Sequence, residues 1–191
     1  MRETADSIAE GLERRFAADG FAAPGVDALR AAAGVSLRTL YRHFPSREAM
    51  VLGALERRHR RYLETLVDRT AAGGGTEAVR AAFARLSRWM AEEAPTGCLF
   101  RNAMAAHPDS DAVRAQVRRH KEENRAAFAR LLAAAFPALP TAARDPAAGA
   151  LFLIQEGFTA AYPTLGPAQA EADARALLDP LLRRLEKEAA A

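Results

Sequence analysis

Ala31-Ala-Ala-Gly-Val-Ser-Leu-Arg-Thr-Leu-Tyr-Arg-His-Phe44 is the stretch that decides the fold of this chain. Gly34 suits the left-handed position that closes a helix, and Ser36 stands where the N-cap of the next helix belongs. Pro45 then ends that second helix, because the residue before a proline is driven out of the helical region. Two short helices around a tight glycine-containing turn make a helix-turn-helix, whose second helix enters the major groove of DNA. Val35, Leu40 and Phe44 share the inward side of that second helix, whereas Leu37, Arg38, Tyr41 and Arg42 lie on the opposite, outward side.

Working outward, Ala5, Ile8, Leu12 and Phe16 give a first helix stopped by Gly20, and Val26–Ala33 is the second. Ser46 caps a long fourth helix with Val51, Leu55, His59, Tyr62 and Leu66 on one face, running into the linker Ala71-Ala-Gly-Gly-Gly75. Thr76 is placed to cap a fifth helix bearing Val79, Phe83, Leu86 and Met90. A short sixth spans Gly97 to about His107, and a seventh runs from Pro108-Asp109 to about Phe136. The eighth runs from about Ala142 to Tyr162. A ninth follows Gly166-Pro167 to near Glu188, with Pro180 expected to kink it or to mark a start within it. No strand pattern survives, so the expectation is an all-α protein of about nine helices. A three-helix helix-turn-helix domain at residues 1–46 precedes a larger helical bundle at 47–191 for ligand binding and dimerisation, helix four (about 46–71) joining them.

Composition agrees. Of 191 residues 47 are alanine, and the 27 basic residues comprise 25 Arg and 2 Lys. Alanine is the strongest helix former, although a GC-rich genome favours the same codons. A single cysteine excludes an intrachain disulfide and a Cys-based zinc site. No apolar run approaches the roughly twenty residues of a transmembrane helix, and the acids near the amino terminus do not fit a signal peptide, so a cytoplasmic protein without a membrane partner is expected. The net charge is only +3, yet Leu37–Arg61 holds seven Arg against two Glu, a local +5 that suits a polyanion.

Enzymatic readings fail on spacing. Glu56-Arg-Arg-His59 has the Glu-x-x-His form of di-iron helical bundles, which need a second such pair, and His43, His107 and His120 are not preceded by Glu at that distance. There is no Gly-rich phosphate loop, His-Glu-x-x-His or Gly-x-Ser-x-Gly, so no catalytic residue, metal or cofactor is assigned.

The string Ala33-Gly-Val-Ser-x-x-Thr-Leu-Tyr-x-His-Phe-Pro-Ser-Arg-Glu48, with Phe16-x-x-x-Gly-Phe21 upstream, resembles the DNA-binding domain of TetR-type transcriptional regulators. The likeness covers roughly the first fifty residues. It implies a homodimer whose subunits each carry a small DNA-binding domain and a helical ligand-binding domain. Carried over position by position, Thr39, Tyr41 and His43 match backbone-contacting positions, and Arg47 stands where the family usually has Lys near phosphate. Leu37 and Arg38 occupy the variable base-reading positions, and Ser36 and Arg42 complete the candidate DNA set. Arg38 is able to pair bidentately with guanine O6 and N7, worth about 1–3 kcal/mol of discrimination. Two departures bear on helix two: Arg30 replaces a small packing residue, and Pro24-Gly25 replaces a Thr-Ser-like pair.

Beyond the linker no strong motif remains, and periodicity carries the reading. On helix seven the stripe is Val113, Val117, His120, Asn124, Phe128 and Leu131. Helix eight has a mixed face of Phe152, Gln155, Thr159 and Tyr162, and an apolar one of Leu151, Ile154, Phe158, Ala161 and Leu165. A helix apolar on two sides lies between two partners. The mixed side is assigned to an effector pocket with Phe83, Met90, Phe128 and Phe152 as wall and Asn102, His120, Asn124, Gln155 and Thr159 as polar groups. The other side, Leu151, Ile154 and Phe158 with Leu178, Leu181 and Leu185 of helix nine, is assigned to the subunit interface. Cys98, at a helix start near Arg101, joins the ligand set as a candidate sensor, though an inert buried cysteine is the commoner case. The expected function is a dimeric regulator, a repressor released from a palindromic double-stranded DNA operator by a small, largely apolar effector. The alternative is a dimeric helical binding module for small molecules or electrophiles that lacks sequence-specific DNA binding.

Overall fold

The structure is a computed structural model, and residues 4–66 and 74–190 are described. Among these there are nine α-helices and no strand: α1 (Ala5–Asp19), α2 (Val26–Ala33), α3 (Leu37–His43), α4 (Arg47–Leu66), α5 (Gly75–Glu92), α6 (Leu99–Ala106), α7 (Asp111–Ala135), α8 (Thr141–Leu165) and α9 (Pro167–Ala190). The linker residues Ala71, Ala72 and Gly73, and the expected continuation of the fourth helix beyond Leu66, lie outside the described residues.

The chain divides into two compact units, Met1–Tyr62 with Cys98–His120, and Leu63–Gly97 with Lys121–Ala191. In the first unit Ile8, Leu12, Phe16, Leu29, Leu40 and Leu55 are all within 1% of complete burial, forming one apolar core joined by Phe100, Val113 and Val117. Two glycines let its helices approach closely. A Cβ on Gly11 would overlap the Ala32 carbonyl at the end of α2, and one on Gly53 would overlap the Phe44 ring lying against α4. Local signals set the helix ends: Thr4 and Ser7 cap α1 reciprocally, Gly34 closes α2 at φ 68°, and Ser46 accepts from Ala49 N at 3.1 Å at the head of α4.

Two expected boundaries move. The N-cap of α5 is Gly74, with extended backbone, and the Thr76 hydroxyl instead donates to Glu186 at 3.1 Å. The start of α7 shifts to Asp111 because Ser110 accepts from Val113 N at 3.1 Å, a side-chain cap that Pro108 cannot supply. Pro180 lies inside α9, which continues as one element through it, and Pro167 opens that helix at a position where its missing N–H costs nothing.

In the second unit the buried line of α8 is Leu151, Gln155, Phe158 and Thr159, which draws from both expected faces. On α9 it is Ala174, Leu178, Leu182 and Leu185. Leu151, Phe158, Leu178 and Leu185 are between 0% and 5% exposed within the single chain, so they retain almost no surface to bury against a second subunit. The large apolar side chains that do face outward on these helices are Leu153, Leu165 and Leu177, each at least 60% exposed. Ile154 and Leu181 are half-buried.

Candidate nucleic-acid interface and effector site

Helix α3 is built as the outward-facing member of the helix-turn-helix. Ser36 caps it by accepting from Thr39 N at 3.1 Å, and its hydroxyl also donates to Thr39 Oγ1 at 2.9 Å. Leu40 is fully buried, Val35 and Phe44 nearly so, and this locks the rotation of the helix. Leu37 and Tyr41 are consequently 43% and 42% exposed, Arg38 and Arg42 are exposed, and Thr39 and His43 are half-buried at the edge. Among the described residues no ion pair engages Arg38 or Arg42.

Arg47 has a different setting from the other candidates. Its guanidinium donates to Pro24 O at 2.8 Å and to Phe21 O at 2.5 Å, and lies 5.9 Å from the centroid of the Phe16 ring. It therefore ties the loop between α1 and α2 to the head of α4. Arg30 stays on the surface of α2 beside Asp27, at 3.7 Å, and packing of α1 on α2 is secured instead by Gly11.

The basic stretch also reads differently once folded. Glu13 of α1 is 1% exposed and receives Arg57 at 2.7 Å, Arg61 at 2.8 Å and Arg58 at 3.2 Å. Arg57 also reaches Glu10 at 3.1 Å, and Arg60 pairs with Asp6. Four of the seven arginines in Leu37–Arg61 are thus matched by α1 carboxylates, Arg60 through a pair that stays exposed. Glu13 is not legible from the sequence as the centre of this cluster because it lies on another helix, 44 residues from Arg57. The one available signal was Glu13 standing next to Leu12 on the buried side of α1.

The ten effector-site candidates are divided between the two units. Cys98, Asn102 and His120 belong to the first unit and the other seven to the second. His120 is 3% exposed, its Nδ1 lies 2.9 Å from Nδ1 of His59, and its ring stacks on Phe100 with centroids 3.6 Å apart. Cys98 and Asn102 are half-buried at the start of α6, Cys98 as its N-cap.

In the second unit Asn124 and Gln155 meet: Asn124 Nδ2 donates to Gln155 Oε1 at 2.5 Å, and both residues are buried. The Thr159 hydroxyl donates to the Glu156 carbonyl at 3.1 Å. Phe83 and Phe128 stack at 6.0 Å, Met90 is buried, and Phe152 is half-buried. A cleft of about 690 Å³ opens among α5, α8 and α9, with Phe83, Phe158 and Leu178 in its apolar lining and Arg80, Glu171, Arg175 and Asp179 among its charged groups. Two of those apolar side chains, Phe158 and Leu178, are ones that the sequence pattern places at the subunit interface. Groups of three or more His, Cys, Asp or Glu able to hold a metal do not occur among the described residues, and no described helix is long and apolar enough to cross a membrane.

Residues 8–54 match the family model of bacterial regulatory proteins, tetR family. The fold of the whole chain is the TetR-type one, as solved structures show. A TetR-family transcriptional regulator from Streptomyces coelicolor is 24% identical, with 94% of each chain covered and a TM-score of 0.80. A TetR transcriptional regulator from Legionella pneumophila is 13% identical over 95% of this chain and 98% of its own, with a TM-score of 0.75. A TetR-family regulator from Cytophaga hutchinsonii is 18% identical over 95% and 94%, at 0.73. Among curated proteins no sequence matches the chain. The family-matched segment spans α1 to α3 and the first part of α4, and so contains the whole of the Ser36-capped helix with its outward face.

Proposed function

We propose that the protein is a DNA-binding transcriptional regulator, not an enzyme, in which α3 enters the major groove of double-stranded DNA. The observation that carries this reading is the outward face of α3, with Leu37, Arg38, Tyr41 and Arg42 exposed on a helix whose rotation is set by buried Leu40, inside a segment matching the TetR family. Arg38 would read a base edge and Leu37 a thymine methyl, while Ser36, Thr39, Tyr41, Arg42 and His43 would hold backbone. Arg47 would act one step removed, by fixing the α1–α2 loop.

The finer parts of the proposal follow from what the rest of the chain offers. A homodimer would bury the outward leucines Leu153, Leu165 and Leu177 of α8 and α9. A small effector would bind in the carboxy-terminal helices, and by preferring one of two spacings of the recognition helices would release a repressor from a near-palindromic operator. Residues 1–46 would serve DNA and 47–191 effector and dimer contacts.

A gel-shift titration against the DNA flanking the coding region tests this. Binding that weakens steeply with salt is expected, because each neutralised phosphate releases counterions. A flat dependence of log K on log salt would rule out the DNA reading in favour of a small-molecule-binding module.

A further inference from the structure

We propose that the cleft among α5, α8 and α9 is the effector site and takes a small amphipathic carboxylate, its apolar body against Phe83, Phe158 and Leu178 and its carboxylate on the Arg175 guanidinium. The inference rests on the effector reading above and gives it a place and a chemistry.

The cleft reaches the depth of the core. Its volume of about 690 Å³ is that of a site for one small molecule. Phe158 and Leu178 in its lining are 5% and 4% exposed, Ala84 and Ala174 add side chains too small to fill the space, and Phe83 is held by its stack on Phe128. An apolar body entering here meets carbon, and the surface it removes from water favours binding.

The charged groups around this lining are not equally engaged. Glu171 and Asp179 stand one turn to either side of Arg175 on α9, the spacing at which helical ion pairs form. Both are drawn across to α5 instead. Asp179 lies 2.5 Å from Arg80 Nη1, and Glu171 accepts from the Ser87 hydroxyl. Arg175 is left exposed at the cleft, with neither a hydrogen bond nor an ion pair to its side chain among the described residues. A guanidinium beside an apolar cleft complements a carboxylate, which its planar fork holds through two parallel N–H···O bonds. Leu177, on the face proposed to meet a second subunit, is two residues on from Arg175 and so roughly 200° around the helix. Dimerisation through that face leaves the cleft open.

The test uses the full chain without DNA and three probes that share a naphthalene body: 2-naphthoate, 2-naphthalenemethanol and 2-naphthylmethylammonium, titrated calorimetrically. The wild type is expected to bind the carboxylate about tenfold more tightly than the alcohol, and the ammonium most weakly. Arg175→Gln, at an exposed helical position, is expected to bring carboxylate and alcohol to parity, and Arg175→Lys to keep a preference of about threefold. Phe83→Ala is expected to weaken carboxylate and alcohol by a similar factor. Equal affinities for these two in the wild type, no binding of any probe up to about 10 mM, a preference for the ammonium, affinities unchanged by Phe83→Ala, or a preference for the carboxylate that survives Arg175→Gln would each overturn the proposal. The same probes then separate the site from the regulatory reading. A preference that depends on Arg175 but leaves DNA affinity unchanged upholds the carboxylate site and counts against effector control.

Discussion

Two groups of arginines, only 15 residues apart at their nearest, have opposite fates. Arg38 and Arg42 on α3 project from a short helix and meet no carboxylate among the described residues. Arg57, Arg58, Arg60 and Arg61 on α4 fold back onto Asp6, Glu10 and Glu13 of α1. The excess of positive charge that invites a polyanion therefore belongs to α3, while the larger cluster on α4 is a structural clamp. Linear charge density is a poor guide to surface potential when an acidic helix packs alongside.

The sharpest way to break this contrast is to remove the centre of the clamp. Glu13→Ala leaves three guanidiniums around a buried site without their carboxylate, and a loss of about 3–5 kcal/mol is expected in denaturant unfolding. A loss under about 1 kcal/mol would mean that the arginines re-solvate freely and the clamp is nominal. Next in size is Arg47→Ala, which deletes two charge-assisted bonds to the α1–α2 loop. It should cost about 1.5–3 kcal/mol in stability and weaken binding to all DNA sequences alike. Weaker DNA binding with unchanged stability would instead assign Arg47 directly to phosphate.

Arg38→Ala is expected to leave the unfolding midpoint unchanged and to cost about 1–3 kcal/mol of binding at one base pair of the operator. Equal losses across all operator variants would move Arg38 to the backbone. The smallest effect belongs to Arg60→Ala, whose exposed pair with Asp6 should contribute less than about 0.5 kcal/mol to stability and nothing to DNA affinity. A fall in DNA affinity for Arg60→Ala would return part of α4 to the nucleic-acid surface.

Much of the helix-turn-helix was legible because its signals are local. Gly34, Ser36 and Ser46 act within four residues of where they stand, and the spacing of Val35, Leu40 and Phe44 fixes which side of α3 turns outward. Capping and periodicity work through the backbone of the same turn, so nothing distant overrides them. The second unit was less legible. Asn124 and Gln155, which interrupt an apolar pattern in the sequence, are buried and meet each other. His120, picked on the same ground, is bound instead to His59. Periodicity places a side chain on a face but says nothing of what that face meets.

The faces expected to form a subunit interface show the same boundary. Helices α8 and α9 are apolar on more than one side, and the choice between Leu151 inward and Leu153 outward depends on a rotation set by neighbouring helices. Small residues were equally silent. Gly11 and Gly53 stand in helical sequence like any other glycine, and their use is visible only as a carbonyl or a ring where a Cβ would be.

By itself, then, the sequence determined what local free energies decide: most helix ends, the order of elements, the outward face of α3, and the likeness of its first fifty residues to the TetR family model. Tertiary structure alone decided which charges remain available. The partners of Arg57, Arg58 and Arg61 lie 44, 45 and 48 residues away, and Asn124 is 31 residues from Gln155. Electrostatic and hydrogen-bonding satisfaction are properties of distance in space, and only packing α1 on α4, or α7 on α8, supplies the proximity that neutralises one arginine cluster and joins the two buried amides.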